Sequence, residues 1–171
     1  MSSPKVLITR DEIKNTVATL AEQIRKDYQG KNPLFISVLK GSSIFIADLI
    51  REINMPLEIE FVRLSSYGSN KVFSGKVKIV QGLRCPVEGR DVLLIDDIID
   101  TGHSISRLIK YLKSRKPTSL KVCVLTDKPS RREVPVHIDY MGLTVPDKFI
   151  VGYGLDWNEK YRYLPDICVV E

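Results

Sequence analysis

Apolar and polar positions along this chain fall into two alternating kinds of segment. Short apolar runs at residues 34–39, 92–95 and 120–126 are long enough for strands buried on both faces. Between them lie apolar stripes at helical spacing: Ile13, Val17, Leu20 and Ile24, then Ile46, Leu49, Ile50 and Ile53, then Ile105, Leu108, Ile109 and Leu112. Thr9 and Glu12 form a Thr-x-x-Glu capping box that opens the first helix, which should end near Gly30. Basic Lys113, Arg115 and Lys116 before Pro117 close the third. Residues 57–64 alternate apolar and charged, as a half-buried strand does, while 77–80 and 167–170 read as short strands. Strands alternating with helices predict an α/β fold, a mainly parallel twisted sheet flanked by helices.

Composition narrows the picture. A length of 171 residues with 43% hydrophobic content suits one domain over 1–171. Its core is expected over about 30–140, with a small hood built from the N-terminus and about 141–171. No apolar run approaches the roughly 20 residues that span a bilayer. The first residues lack the apolar stretch of a signal peptide. Cys85, Cys123 and Cys168 have no paired metal-ligand spacing, and the latter two sit in apolar runs as core thiols. A reducing, cytoplasmic setting without membrane association is therefore expected. The net charge of +5 comes without a block of five like charges or a zinc-finger spacing, so phosphorylated small substrates account for it better than nucleic acid.

The apolar runs share a further regularity. Lys40-Gly41, Ser66-Tyr67, Asp96-Asp97, Lys128 and Asp156 each follow one. In an open parallel sheet the strand carboxyl ends gather along one edge, where ligands bind. Five polar stops there would assemble a site from distant segments. The eleven residues from Ser65 to Gly75 are polar and glycine-containing, too long for a tight hairpin, and suit a lid.

The stretch from Asp91 to Ser104 carries the most chemistry. A buried strand runs into Asp96 and Asp97, then an apolar pair, then Asp100-Thr101-Gly102-His103-Ser104 at the start of a helix. Gly102 can turn successive N–H groups inward, Thr101 and Ser104 add hydroxyls, and the helix start adds positive dipole. That arrangement suits an anion, yet three aspartates flank it. Ribose-type hydroxyls donate hydrogen bonds to carboxylates, and Mg²⁺ takes oxygen ligands. A sugar phosphate whose hydroxyls meet acids or metal reconciles both features.

These residues resemble the 5-phosphoribosyl-1-pyrophosphate (PRPP) motif of type I phosphoribosyltransferases. The Asp96-Asp-Ile-Ile-Asp-Thr-Gly102 core resembles the hypoxanthine-guanine members, as does the stretch from Asp147 to Arg162. The resemblance runs from about Lys40 to Arg162, through several separate motifs. It implies that Asp96, Asp97, Asp100, Thr101, Gly102, His103 and Ser104 hold the ribose and 5-phosphate. Lys40, Gly41, Ser66, Tyr67 and Arg162 would hold pyrophosphate, with a non-proline cis peptide at Leu39–Lys40. Lys128, Phe149, Ile150 and Asp156 would contact the purine, Lys128 reading its 6-oxygen. Asp100 is the implied catalytic base, and Asp96, Asp97 and Asp156 the implied contacts to Mg²⁺.

Two positions depart from the pattern: the first acid is Asp96, where some relatives have glutamate, and His103 stands where some have lysine. His103 reads as a tuning contact, His137 as structural, and Arg131 and Arg132 as solvated. The implied activity is transfer of the phosphoribosyl group of PRPP to N9 of hypoxanthine or guanine, by a homodimer or homotetramer. A wider base preference including xanthine stays open, as does an RNA-binding regulator on the same fold. A purely structural role explains none of the polar stops.

Overall fold

The protein's structure, a computed structural model, describes residues 3–66 and 77–170. Nine strands and three helices follow one another along them. The strands are β1 (Lys5–Ile8), β2 (Leu34–Leu39), β3 (Glu58–Ser66), β4 (Val77–Gln81), β5 (Asp91–Ile99), β6 (Ser119–Asp127), β7 (Tyr140–Thr144), β8 (Ile150–Val151) and β9 (Ile167–Val169). The helices are α1 (Arg10–Tyr28), α2 (Ser43–Ile53) and α3 (His103–Lys113).

The main sheet has the order β4-β3-β2-β5-β6-β7, with β4 antiparallel and the other five parallel. Alternate residues of its central strands feed two cores. Phe35, Leu93, Ile95, Cys123 and Leu125 pack with α1 and α2 on one face. Leu34, Ile36, Val92, Leu94, Val122 and Val124 pack with α3 on the other. The uninterrupted apolar runs therefore reflect burial on both faces. Helix α1 starts at the expected capping box, both halves of which form around Thr9 and Glu12, and it buries Ile13, Val17, Leu20 and Ile24. Cys123 and Cys168 are buried free thiols.

A second sheet, β1-β9-β8, is antiparallel and brings the first strand against the last, Lys5 opposite Val169. Bidentate Arg10–Asp166 contacts brace it, with Arg10 Nη2 3.2 Å from Asp166 Oδ2. The main sheet runs on to Thr144, because β7 pairs with β6 (Cys123 opposite Tyr140). No helix among the described residues is long and apolar enough to cross a membrane.

Strand β5 is longer than its apolar run. Its pairing with β2 stops at Ser37 opposite Ile95, but its pairing with β6 continues to Ile99 opposite Asp127. Asp96 and Asp97 therefore lie inside a strand, at the level where β2 has already separated. Between β2 and β5 the strand order also reverses direction along the chain, which is where open α/β sheets bind ligands.

Candidate active site

Two cavities open at this edge. The larger, about 510 Å³, is lined by Lys40, Gly41, Asp96, Asp97, Asp100 and Lys128, and from the other side by Phe149, Ile150, Asp156 and Arg162. The smaller, about 260 Å³, is lined by Thr101, Gly102 and Ser104 and shares Asp96, Asp97 and Asp100 with its neighbour. The three aspartates thus stand on the seam between an amide- and hydroxyl-lined hollow and a cleft with aromatic and basic walls.

Gly102 precedes α3 with φ +92°, the left-handed geometry that lets the loop turn into the helix. The start of α3 then brings backbone N–H groups and positive dipole to where an anion can sit. His103, the first residue of α3, has its Nε2 2.8 Å from Glu133 Oε2, and it is not part of the wall of either cavity.

Asp96 and Asp97 are almost wholly buried side by side. Burial pushes both carboxyls above the usual range, and the neighbouring charge of Asp97 raises Asp96 further. Gly41 is what allows the close approach of the turn after β2: a Cβ there would sit 2.0 Å from Asp97 Oδ2. The Leu39–Lys40 peptide is cis. Asp100 lies beyond the strand; its Oδ1 takes no hydrogen bond but pairs with Arg131, whose Nε lies 3.0 Å away.

Lys128 is buried, and its Nζ donates to the carbonyl of Lys148 at 2.9 Å. Phe149 is 52% exposed, an uncovered ring beside the cleft, with Trp157 6.1 Å away at a tilt. Ile150 is buried in β8. Ser66 ends β3, and Tyr67 lies outside the described residues.

Asp156 does not end a strand of the main sheet, as its place after an apolar run suggested. That run breaks after β8: Gly152, Tyr153 and Gly154 all have positive φ, and Gly152 bridges back to Leu155. Asp156 instead comes from the hood, where Arg162 Nη2 lies 2.8 Å from its Oδ1 and the Glu159 amide donates to its Oδ2 at 2.8 Å.

Of the two arginines read as solvated, Arg131 is exposed but Arg132 is largely covered. Arg132 donates to the carbonyl of Asp100 at 3.0 Å and pairs with Asp127, while Arg131 lines the larger cavity. Their Arg-Arg signal looks like surface charge because nothing local reveals that a 3₁₀ turn, Pro129–Arg131, folds them back over β5 and β6. Glu159 was also missed; it touches Lys40 from 119 positions away.

No group of three or more His, Cys, Asp or Glu side chains able to hold a metal occurs among the described residues. Mg²⁺ nonetheless suits the acids present. It keeps most of its water and is held by one or two carboxylates plus substrate oxygens, and Asp96 and Asp97 are an adjacent buried pair whose charges a dication would offset. Asp156, the third implied contact, is paired with Arg162.

A doubly covered, mainly parallel sheet with acids and a glycine turn at its switch point has the type I phosphoribosyltransferase fold. A family model described as the phosphoribosyl transferase domain matches residues 9–158. The chain is 48% identical over 167 residues to the hypoxanthine-guanine phosphoribosyltransferase of Bacillus subtilis, covering 98% of this chain and 93% of that protein. It is 47% identical to the bifunctional protein TilS/HprT of Listeria innocua, but there the 98% of this chain that matches spans only 26% of the relative's length. The solved hypoxanthine-guanine phosphoribosyltransferase of Bacillus anthracis, with HEPES in its active site, superposes with a TM-score of 0.93 at 42% identity, covering 99% of this chain and 100% of that one. The chain belongs to the hypoxanthine-guanine phosphoribosyltransferase family.

Proposed function

We propose that the chain transfers the 5-phosphoribosyl group of PRPP to N9 of hypoxanthine or guanine, giving IMP or GMP and pyrophosphate. The observation that carries this reading is the seam: Asp96, Asp97 and Asp100 border both cavities. A pentose set on that seam can send a 5-phosphate one way and a base and pyrophosphate the other.

In this reading the amides and hydroxyls of Thr101, Gly102, His103 and Ser104 hold the 5-phosphate. Asp96 and Asp97 accept hydrogen bonds from the ribose hydroxyls and fix C1 for attack. Purine N9 donates its electron pair to C1 as the C1–oxygen bond breaks, and that pair leaves with pyrophosphate. As N9 bonds to C1 the purine gives up its N7 proton, and Asp100, whose Oδ1 takes no hydrogen bond within the protein, accepts it. Lys40, Gly41 and Arg162 take the departing pyrophosphate, with Ser66 and Tyr67 as the covering segment. Mg²⁺, near Asp96, Asp97 and Asp156, would supply charge neutralisation for the leaving group.

Phe149 stacks on the base, and Ile150 and Asp156 flank its edge. Lys128 has three donors and no acceptor, and Lys148 uses one, so it favours a 6-oxo base over a 6-amino one. A cytoplasmic homodimer or homotetramer belongs to the same reading, and sedimentation would test the oligomer.

The decisive experiment supplies PRPP and Mg²⁺ with hypoxanthine, guanine, xanthine and adenine in turn. Pyrophosphate release should accompany hypoxanthine and guanine and be weak with adenine. Release with none of the 6-oxo bases overturns the proposal, and release with xanthine alone moves it to another base.

A further inference from the structure

Lys40 and Arg162, the two cations assigned to pyrophosphate, are already bridged by a single carboxylate oxygen. Glu159 Oε2 lies 3.0 Å from Lys40 Nζ and 3.3 Å from Arg162 Nη2. The bridge crosses the cleft, from the loop after β2 to the hood.

The local turn does not depend on that side chain. Backbone bonds hold it, Trp157 N to Lys160 O at 3.1 Å and Lys160 N to Trp157 O at 3.0 Å, and the Glu159 amide is fixed by Asp156. The Glu159 side chain is 64% exposed and contributes no core contact. Arg162, by contrast, is anchored through Nη1 to the carbonyl of Gly154 at 2.7 Å, and its Nε is buried without an acceptor. An anchored guanidinium, which also pairs with Asp156, and a long-stemmed ammonium are thus spanned by one exposed monoanion.

We propose that Glu159 is a built-in competitor of pyrophosphate. It occupies Lys40 and Arg162 while the enzyme is empty, swings out when a diphosphate arrives, and returns as pyrophosphate leaves. The inference rests on the reading of Lys40 and Arg162 given above. A diphosphate brings several charges and many acceptor oxygens, so it wins the exchange, yet every binding event must first open the bridge. Exposed ion pairs are weak, so removing this one should tighten pyrophosphate binding only about three- to tenfold.

Calorimetric titration of inorganic pyrophosphate into the wild-type protein, Glu159→Gln and Glu159→Ala tests this. Both variants should bind three to ten times more tightly. GMP, which carries no diphosphate to reach Lys40 and Arg162, should bind all three proteins equally. Wild-type binding with no gain in either folded variant overturns the competitor role alone. Equal tightening of GMP also overturns it, since that would mark a general change in the cleft. A wild-type protein that ignores pyrophosphate overturns the assignment of Lys40 and Arg162, and the competitor with it.

Discussion

The two walls of the cleft are built by different means. On one side, Asp96 and Asp97 ride on a central parallel strand buried on both faces, and Gly41 sits in the turn directly after its neighbour β2. On the other, residues 149–164 run through β8 into turns, with Tyr153, Asn158, Glu159 and Tyr161 in the left-handed region and ion pairs holding the loops. In the proposed reading the acids that fix the reacting carbon sit on the strand-built wall. In the same reading Phe149, Ile150 and Asp156 meet the base from the other wall, and pyrophosphate is shared between Lys40 on one side and Arg162 on the other.

The contrast can be broken most strongly at its chemical centre. Asp100→Ala should lower kcat by about 10²- to 10⁴-fold, the usual contribution of a positioned acid–base group, while the melting temperature barely moves. Unchanged turnover would remove Asp100 from that role. Next, Leu93→Ala in β5 should destabilise the fold by about 2–5 kcal/mol in denaturant titration, because Leu93 is wholly buried. Phe149→Ala should weaken purine binding by about 1–3 kcal/mol, as lost base stacking does, and leave PRPP binding nearly unchanged. Equal loss of both substrates would mean that the two walls do not act separately.

The smallest effect concerns the clasp of the hood. Hydrogen bonds from Arg10 hold the Asp166 carboxyl below its ordinary range. A folded-state pKa below the unfolded one adds stability above the unfolded value, and that stability fades as pH falls through the folded one. The advantage of the wild-type protein over Asp166→Asn should therefore be full at neutral pH and vanish in acid. A gap that persists at low pH would refute the clasp.

The same division governs what could be read beforehand. Helices α1, α2 and α3 and strands β2, β5 and β6 follow from periodicity, since two-sided burial leaves unbroken apolar runs and amphipathic stripes. The loop from Asp100 to Ser104 was legible because acids, hydroxyls and glycine gather within a few positions. The turn-built wall was legible only by resemblance. Its turns place non-glycine residues at positive φ, which no pattern announces, and the apolar run before Asp156 mimics one strand where the chain in fact folds back. Arg131 and Glu159 were invisible for another reason: their partners, Asp100 and Lys40, lie far away in sequence.

The early parting of β2 from β5 makes the pocket's aperture a matter of counting rungs. Were their ladder to continue level with that of β6, the slot would zip shut over the acids; were it to end sooner, water would flood them. A designer wishing to admit a bulkier sugar would therefore trim or lengthen a strand and leave the acids themselves alone.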